Sequence, residues 1–224
     1  GLDHAVQFCR TKPKQQNQVV MEVPAIPSNE QLRIEALYSY HILDTELEKE
    51  FDEITKIASE LFDAPVSAIS LIDTNRQWYK SAQGTDIKEI DREISMCAHA
   101  INSPEKVMTV ENFLDDPRFS DHPLASEKYG VRFYAGAPIV DKSGMALGTL
   151  CILDFKPKKL TDSQIERLRG LAEMVMRQIE TRLINRHLKQ YLEMQTSELK
   201  SAVSHLKQEI SNRKEVENQL EKML

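Results

Sequence analysis

Two hydrophobic rhythms divide the chain. In residues 133–140 (FYAGAPIV) and 146–153 (ALGTLCIL) nearly every position is apolar or small. A strand with one wet face alternates, so near-continuous runs predict central strands covered on both faces. Between them, Asp141-Lys142-Ser143-Gly144 predicts a short hairpin turn, opened by Asp and closed by a left-handed Gly. Gly136 and Gly148 fall inside these strands. Glycine there marks a bulge or the close approach of another group, and a helix packed on the sheet is expected ahead of a ligand. Further strands are predicted at 66–73 (VSAISLID), at 76–83 (RQWYKSAQ) after a Thr74-Asn75 turn, and at 107–110. Residues 85–91 read as a polar connection to a short helix near 94–101, and 112–129 as loop and short-helix material.

Elsewhere the period is helical. Ser28 with Gln31, Thr45 with Glu48 and Thr161 with Gln164 have the spacing of a capping box, in which each side chain satisfies the other's backbone N–H. The first predicts a short helix carrying Leu32, Ala36, Leu37 and Tyr40. The second predicts an amphipathic helix over 46–62 with Leu47, Phe51, Ile54, Ala58 and Leu61 on one face. The third opens a tract without proline that runs to Leu224, a helix of roughly 95 Å at 1.5 Å per residue. Within it Leu192, Leu199, Leu206 and Leu220 lie seven or fourteen apart, and Val203, Ile210 and Leu224 fill the alternate seam position. That is a heptad pattern, although Thr196, Arg213 and Glu217 also sit on the seam. Leu168, Leu171, Val175, Ile179 and Leu183 do not continue its register, which implies a phase slip near 183–192. Pairs such as Glu209–Arg213 give only about 0.2–0.5 kcal/mol each. A solvated single helix is therefore a poor account, and a parallel dimeric coiled coil is expected.

Composition narrows the class. The chain is 41% hydrophobic and 29% charged, which suits a packed core with an added charged element. Its net charge of -6 gives no basic stripe for nucleic acid. No run approaches the roughly 18 apolar residues of a membrane span, and the first residues, GLDHAVQFCR, lack a signal-peptide core. They also lack an initiator Met, so a piece of a longer protein is expected. Cys9, Cys97 and Cys151 are scattered and form no CxxC, which suits a reducing cytoplasm better than a disulfide framework.

Seven stretches then occur in order: ALYSYHILDT (36–45), FDEITKIAS (51–59), ISLIDTNRQWYKSAQG (69–84), REISMCAHAI (92–101), DDPRF (115–119), VRFYAGAPI (131–139) and ALGTLCILD (146–154). Together they make residues 30–184 resemble a GAF domain of bacterial signalling proteins. The resemblance implies an α/β (α+β) fold: an antiparallel sheet of about six strands, helices on one side, and a small-molecule cavity under the loops on the other. Residues 1–29 are then a flexible lead-in and 185–224 a coiled-coil signalling linker. Residues 206–224 resemble the linker that joins such sensors to a histidine kinase, diguanylate cyclase or adenylate cyclase. No phosphoacceptor-His motif, nucleotide-binding Gly loop or GGDEF-like stretch is present in the sequence, so a non-catalytic sensor is expected, with its output module following residue 224.

Aromatic walls with a few polar groups suit small ligands. Trp78, Met96, Cys97, His99, Phe133, Tyr134, Arg118 and Arg132 are the candidates for a pocket. Arg76, Arg92, Arg118 and Arg132 can clamp an anion or pin loops to carboxylates, and Asp115-Asp116-Pro117-Arg118-Phe119 reads as a loop pin. In bilin-binding members of the family the anchoring Cys directly precedes a His; here Ala98 separates Cys97 from His99, which argues against a bilin. Phe51-Asp52-Glu53 only echoes the cyclic-nucleotide signature. A fourfold metal-ligand set is missing, so neither metal nor other cofactor is expected. One GAF family reduces free methionine sulfoxide with cysteines, and Cys97 and Cys151 would have to meet across the cavity. Against that, a thiol buried in an apolar strand has a raised pKa and is inert. The expected partner is a second copy through Leu192, Leu199, Val203, Leu206, Ile210 and Leu220, with an unidentified small ligand. The alternatives are a dimerisation scaffold whose cavity is filled by Trp78, Met96 and Phe133, and the thiol-based reductase.

Overall fold

Val66–Ile72 (β1) is buried at every position, because strands flank it on both edges and other elements cover both faces. In a computed structural model, which describes residues 22–127 and 129–222, β1 lies inside a six-stranded antiparallel sheet. The others are Arg76–Gln83 (β2), Glu89–Asp91 (β3), Met108–Val110 (β4), Phe133–Val140 (β5) and Ala146–Asp154 (β6), in the order β3-β2-β1-β6-β5-β4. Helices are Glu30–Ser39 (α1), Lys49–Phe62 (α2), Met96–Ala100 (α3) and Asp162–Glu221 (α4). Three 3-10 turns, Arg92–Ile94, Phe113–Asp115 and Pro123–Ala125, lie in the connections. The fold is α+β. No helix of the described residues is long and apolar enough to cross a membrane.

The period-two alternation of the strands builds two cores. Ile69 and Leu71 of β1, Phe133, Ala135 and Ala137 of β5, and Leu150 and Ile152 of β6 pack with α1, α2 and the first turns of α4. Ala68 and Ile72, Tyr134, and Cys151 on the same strands pack instead with α3 and the loops around Phe113, Phe119 and Ala125. This double cover is why β5 and β6 read as continuous apolar runs.

The chain divides into two compact units between Glu180 and Thr181. The first holds the sheet and residues 162–180 of α4, whose Leu168, Leu171, Ala172, Val175, Met176 and Ile179 are in the helix-side core. The second is helical through Glu221. The expected lead-in over 1–29 falls outside the described residues for 1–21, as does seam residue Leu224.

Several local expectations change. The Thr161–Gln164 box forms: Gln164 N donates to Thr161 Oγ1 (3.3 Å) and Thr161 N to Gln164 Oε1 (2.9 Å). The other two do not. Gln31 bonds Glu35 instead, and Asn29 rather than Ser28 precedes α1, without a side-chain cap. Thr45 and Glu48 are drawn to Lys80, whose side chain is 0% exposed. Its ammonium donates to Thr45 Oγ1 (2.9 Å), Glu46 O (2.6 Å) and Glu48 Oε1 (2.7 Å). A buried cation needs that many acceptors. The helix therefore starts at Lys49 rather than 46, and Leu47 is exposed.

The polar connection at 85–91 contains β3. It pairs only with β2, and an edge strand is expected to be polar. The turn at 141–144 forms as read, with Gly144 at φ +80° and Asp141 Oδ1 accepting from Ser143 N and Met145 N, both at 2.8 Å. The close neighbours of Gly148 and Gly136 are groups of the sheet itself rather than a helix. A Cβ at Gly148 would lie 1.9 Å from Ser70 O on β1, and one at Gly136 would lie 2.1 Å from Tyr134 Oη.

Candidate functional site

The loop-side face of the sheet gathers the chemistry. Strand β2 supplies Gln77, which accepts a hydrogen bond from Ser95 Oγ. Ser95 is also the N-cap of α3, accepting from Ala98 N at 2.9 Å. That anchor sets α3 against the sheet with Cys97 facing β6. Cys151 sits between Ala68 of β1 and Gly136 of β5 in register. Because residue 136 has no side chain, the Tyr134 ring lies over it, and Tyr134 Oη donates to Cys97 Sγ at 3.4 Å. Ser70 and Thr149 hydroxyls, 3.1 Å apart on neighbouring strands, complete the group. Ser70, Thr149, Tyr134, Cys97 and Cys151 are all buried.

Burial pushes any thiol up. At Cys97 it is outweighed by hydrogen bonds with Cys151, Ser70, Thr149 and Tyr134, which hold the thiol down at about 6. The hydrogen bond to Cys97, and then burial, push Cys151 well up. The raised pKa expected of a thiol in the apolar strand thus fits Cys151, while Cys97, on α3, is shifted the other way by the hydrogen bonds around its sulfur.

Next to this group lies a small cavity of about 40 Å³, bounded by Val66, Ala68, Tyr79, Ile90, His122 and Leu153 among others. That is room for a water-sized molecule. Its roof is held by His122, whose Nε2 lies 2.9 Å from Ile94 O while Nδ1 accepts from Leu124 N at 3.1 Å. This geometry fits a neutral ring protonated on Nε2, and burial lowers its pKa accordingly.

The predicted pocket residues are divided by the sheet. Met96, Cys97 and Tyr134 share the loop-side core, whereas Trp78 and Phe133 belong to the helix-side core and are not brought to them. His99 stands at the rim, edge-on to Phe119 (5.1 Å), with Nε2 3.1 Å from Glu22 O. Arg118 grips Asp116 through Nε (3.0 Å) and Nη2 (2.7 Å) and lies over the Phe119 ring, the loop pin expected of this motif. Arg132 Nη1 donates to Ala125 O (2.7 Å) and Val131 O (2.9 Å). Arg76 bonds Asp44, Asp73 and Glu89.

Arg33 and Arg92 share Glu30. Burial raises that carboxyl, but the two guanidiniums outweigh it and hold it at about 2. An open groove of about 820 Å³ lies between Thr109–Asn112, Asp115–Arg118 and Pro157–Lys159. Its charges pair among themselves and with neighbours: Arg118 with Asp116, Lys159 with Glu111, Lys158 with Asp154. No group of three or more potential metal ligands occurs among the described residues.

Ser70, Thr149 and His122 were not among the predicted site residues. The signal for the first two was present: each is a hydroxyl inside a mostly apolar strand, at the parity that faces the loops. In the second unit, Leu192, Leu199, Val203, Leu206, Ile210 and Leu220 are 42–66% exposed.

A GAF domain family model matches residues 46–179. A cyclic di-GMP phosphodiesterase of Pseudomonas aeruginosa is 35% identical over 162 residues, which is 72% of this chain and 27% of that protein. The chain thus spans about a quarter of the length of that relative. Among solved structures, a domain of a putative two-component sensor histidine kinase from Sinorhizobium meliloti superposes with a TM-score of 0.50 at 18% identity, over 66% of this chain and 99% of that one. A free methionine-R-sulfoxide reductase from Thermoplasma acidophilum gives 0.50 at 12% identity, over 59% and 92%. Likeness at such identities concerns the fold alone. By its strand order, its two-sided core and the family match across most of its first unit, the chain belongs to the GAF domain family.

Proposed function

We propose that the chain is a regulatory GAF module that pairs with a second copy through residues 185–222 and passes a change of state along α4 to a downstream output domain. The observation that carries this is the exposed apolar stripe at Leu192, Leu199, Val203, Leu206 and Ile210. Its pattern favours two parallel strands. One seam position holds branched Thr196, Val203 and Ile210, the other holds Leu192, Leu199 and Leu206. Lys200, Lys207 and Lys214 fall at one flank. An antiparallel pair would set those lysines against each other, whereas a parallel pair sets Glu209 against the partner's lysine flank.

The module itself carries no catalysis in this reading, and a cytoplasmic setting goes with it. The 35% identity to the phosphodiesterase supports an output acting in cyclic di-GMP signalling ahead of a histidine kinase. Polar Arg213 and Glu217 on the seam leave room for two arrangements of similar energy, which a switch requires.

The test is crosslinking in a Cys9→Ser background. Val203→Cys, on the seam, gives a covalent dimer under mild oxidation, while Glu215→Cys, on the outer face, does not. Equal yields at both positions, or none at either, would overturn the pairing.

A second reading is favoured by the packing of the loop-side face. Of the three residues expected to fill the cavity, Met96 packs in the loop-side core with Phe113, Phe119 and Tyr134, whereas Trp78 and Phe133 lie on the helix side, and a cavity of about 40 Å³ remains beside that loop-side core. In that reading the chain is a dimerisation scaffold. Native mass spectrometry separates the two: a retained small molecule supports the sensor, and bare dimers support the scaffold.

A further inference from the structure

We propose that Cys97 and Cys151 form a peroxide-oxidisable dithiol, a modification site that joins α3 to the central strand β6. This goes beyond the reading above and does not depend on it.

Three observations converge. Both cysteines lie in one buried cluster: Tyr134 Oη, which donates to Cys97 Sγ, lies over Gly136, the register partner of Cys151, although 54 positions separate the two in sequence. The groups around them are hydroxyls: Tyr134 donates to Cys97 Sγ at 3.4 Å, and Ser70 and Thr149 flank it. Donors to sulfur favour the thiolate, the nucleophilic form. The third observation is access. Ala68, in register with Cys151, and Leu153, two residues further along the same face, both line the small cavity. Tyr79, another wall residue, packs against the same buried cluster as the two cysteines. A cavity of about 40 Å³ suits a molecule the size of water. Hydrogen peroxide is of that class, whereas an aromatic disulfide or a maleimide is not.

The chemistry balances with peroxide as the oxidant. Cys97 thiolate attacks one peroxide oxygen; the S–O bond forms, the O–O bond breaks, and the departing hydroxide takes a proton to become water. The Cys97 sulfenic acid is then attacked by the Cys151 sulfur. The S–S bond forms, the S–O bond breaks, and the hydroxyl leaves with the Cys151 proton as a second water. Two thiols and one peroxide give one disulfide and two waters.

The experiment uses the full chain carrying Cys9→Ser, so that Cys97 and Cys151 are its only thiols. The folded protein is treated with hydrogen peroxide, then denatured and exposed to a maleimide, and its intact mass and peptides are measured. The expected result is loss of two hydrogens, no maleimide on either cysteine, and a linked Cys97–Cys151 peptide that disappears on reduction. Before oxidation, the folded protein resists the maleimide. Tyr134→Phe slows the linkage several-fold, while its Trp78 emission reports an intact first unit. The proposal is overturned if both thiols remain fully alkylatable after peroxide, if oxygen adds to Cys97 while Cys151 stays reduced, or if linkage needs denaturant.

Discussion

Gly148→Ala adds one methyl at the centre of the sheet, and the structure sets its cost. The new carbon would lie 1.9 Å from Ser70 O and 2.8 Å from Leu71 Cα. Carbon–oxygen contacts between strands settle near 3.3–3.6 Å, so about 1.4 Å must be found. It cannot come from a flexible side chain, because the obstacle is the backbone of β1. That strand is buried throughout and held by β2 and β6. Overpacking typically costs about 1–3 kcal/mol and occasionally more; a clash with central backbone belongs at the upper end, about 3 kcal/mol. Gly170→Ala is the same chemical change in α4, where nothing lies within 4 Å of the added carbon. There it removes a helix-interior glycine and stabilises by about 0.5–1 kcal/mol. Trp78 is the single tryptophan and is buried on the helix-side face, so its emission during urea unfolding reports the first unit. With a slope of about 2 kcal/mol per molar urea, the midpoint falls by about 1.5 M for Gly148→Ala and rises by a few tenths for Gly170→Ala. If Gly148→Ala stays within 0.5 kcal/mol of the parent, the close approach of β1 and β6 is not a constraint and the reasoning fails.

Other outcomes follow from the buried charges and the exposed stripe. Glu48→Ala leaves the fully buried Lys80 ammonium with Thr45 and Glu46 as acceptors. It lowers stability by about 3 kcal/mol, the low end for breaking a buried pair, in the same urea assay. Glu30 is depressed from 4.5 to about 2, so its contribution is complete above about pH 4.5 and is lost as pH falls towards 2. The gap in melting temperature between wild type and Glu30→Gln should therefore narrow on acidification from pH 6 to 3; a gap that is constant or widens contradicts the Arg33–Glu30–Arg92 arrangement. Leu199→Asp with Leu206→Asp should yield single chains in sedimentation while leaving Trp78 emission unchanged.

Long-period signals were the most legible. The apolar runs at 133–140 and 146–153 gave β5 and β6 to within a residue, since a doubly covered strand leaves no room for polar alternation. The Thr161–Gln164 box and the absence of proline gave the start and length of α4. What escaped detection was set by distant partners. Nothing near Thr45 and Glu48 shows that their oxygens are taken by Lys80, 32 or more positions away. Strand β3 is short and polar because it is an edge, and polarity is also how a loop reads. For the site, the pattern named the aromatic and sulfur residues without resolving which face each occupied. Parity along a strand decides that: Phe133 and Tyr134 are neighbours in sequence and lie on opposite sides of the sheet.

The proposed relay stands on two chains zipped along residues 185–222. Sedimentation equilibrium of the full chain at micromolar concentration tests this most directly. The account predicts one species of twice 25.7 kDa, and a species that remains at 25.7 kDa across the concentration range would contradict it.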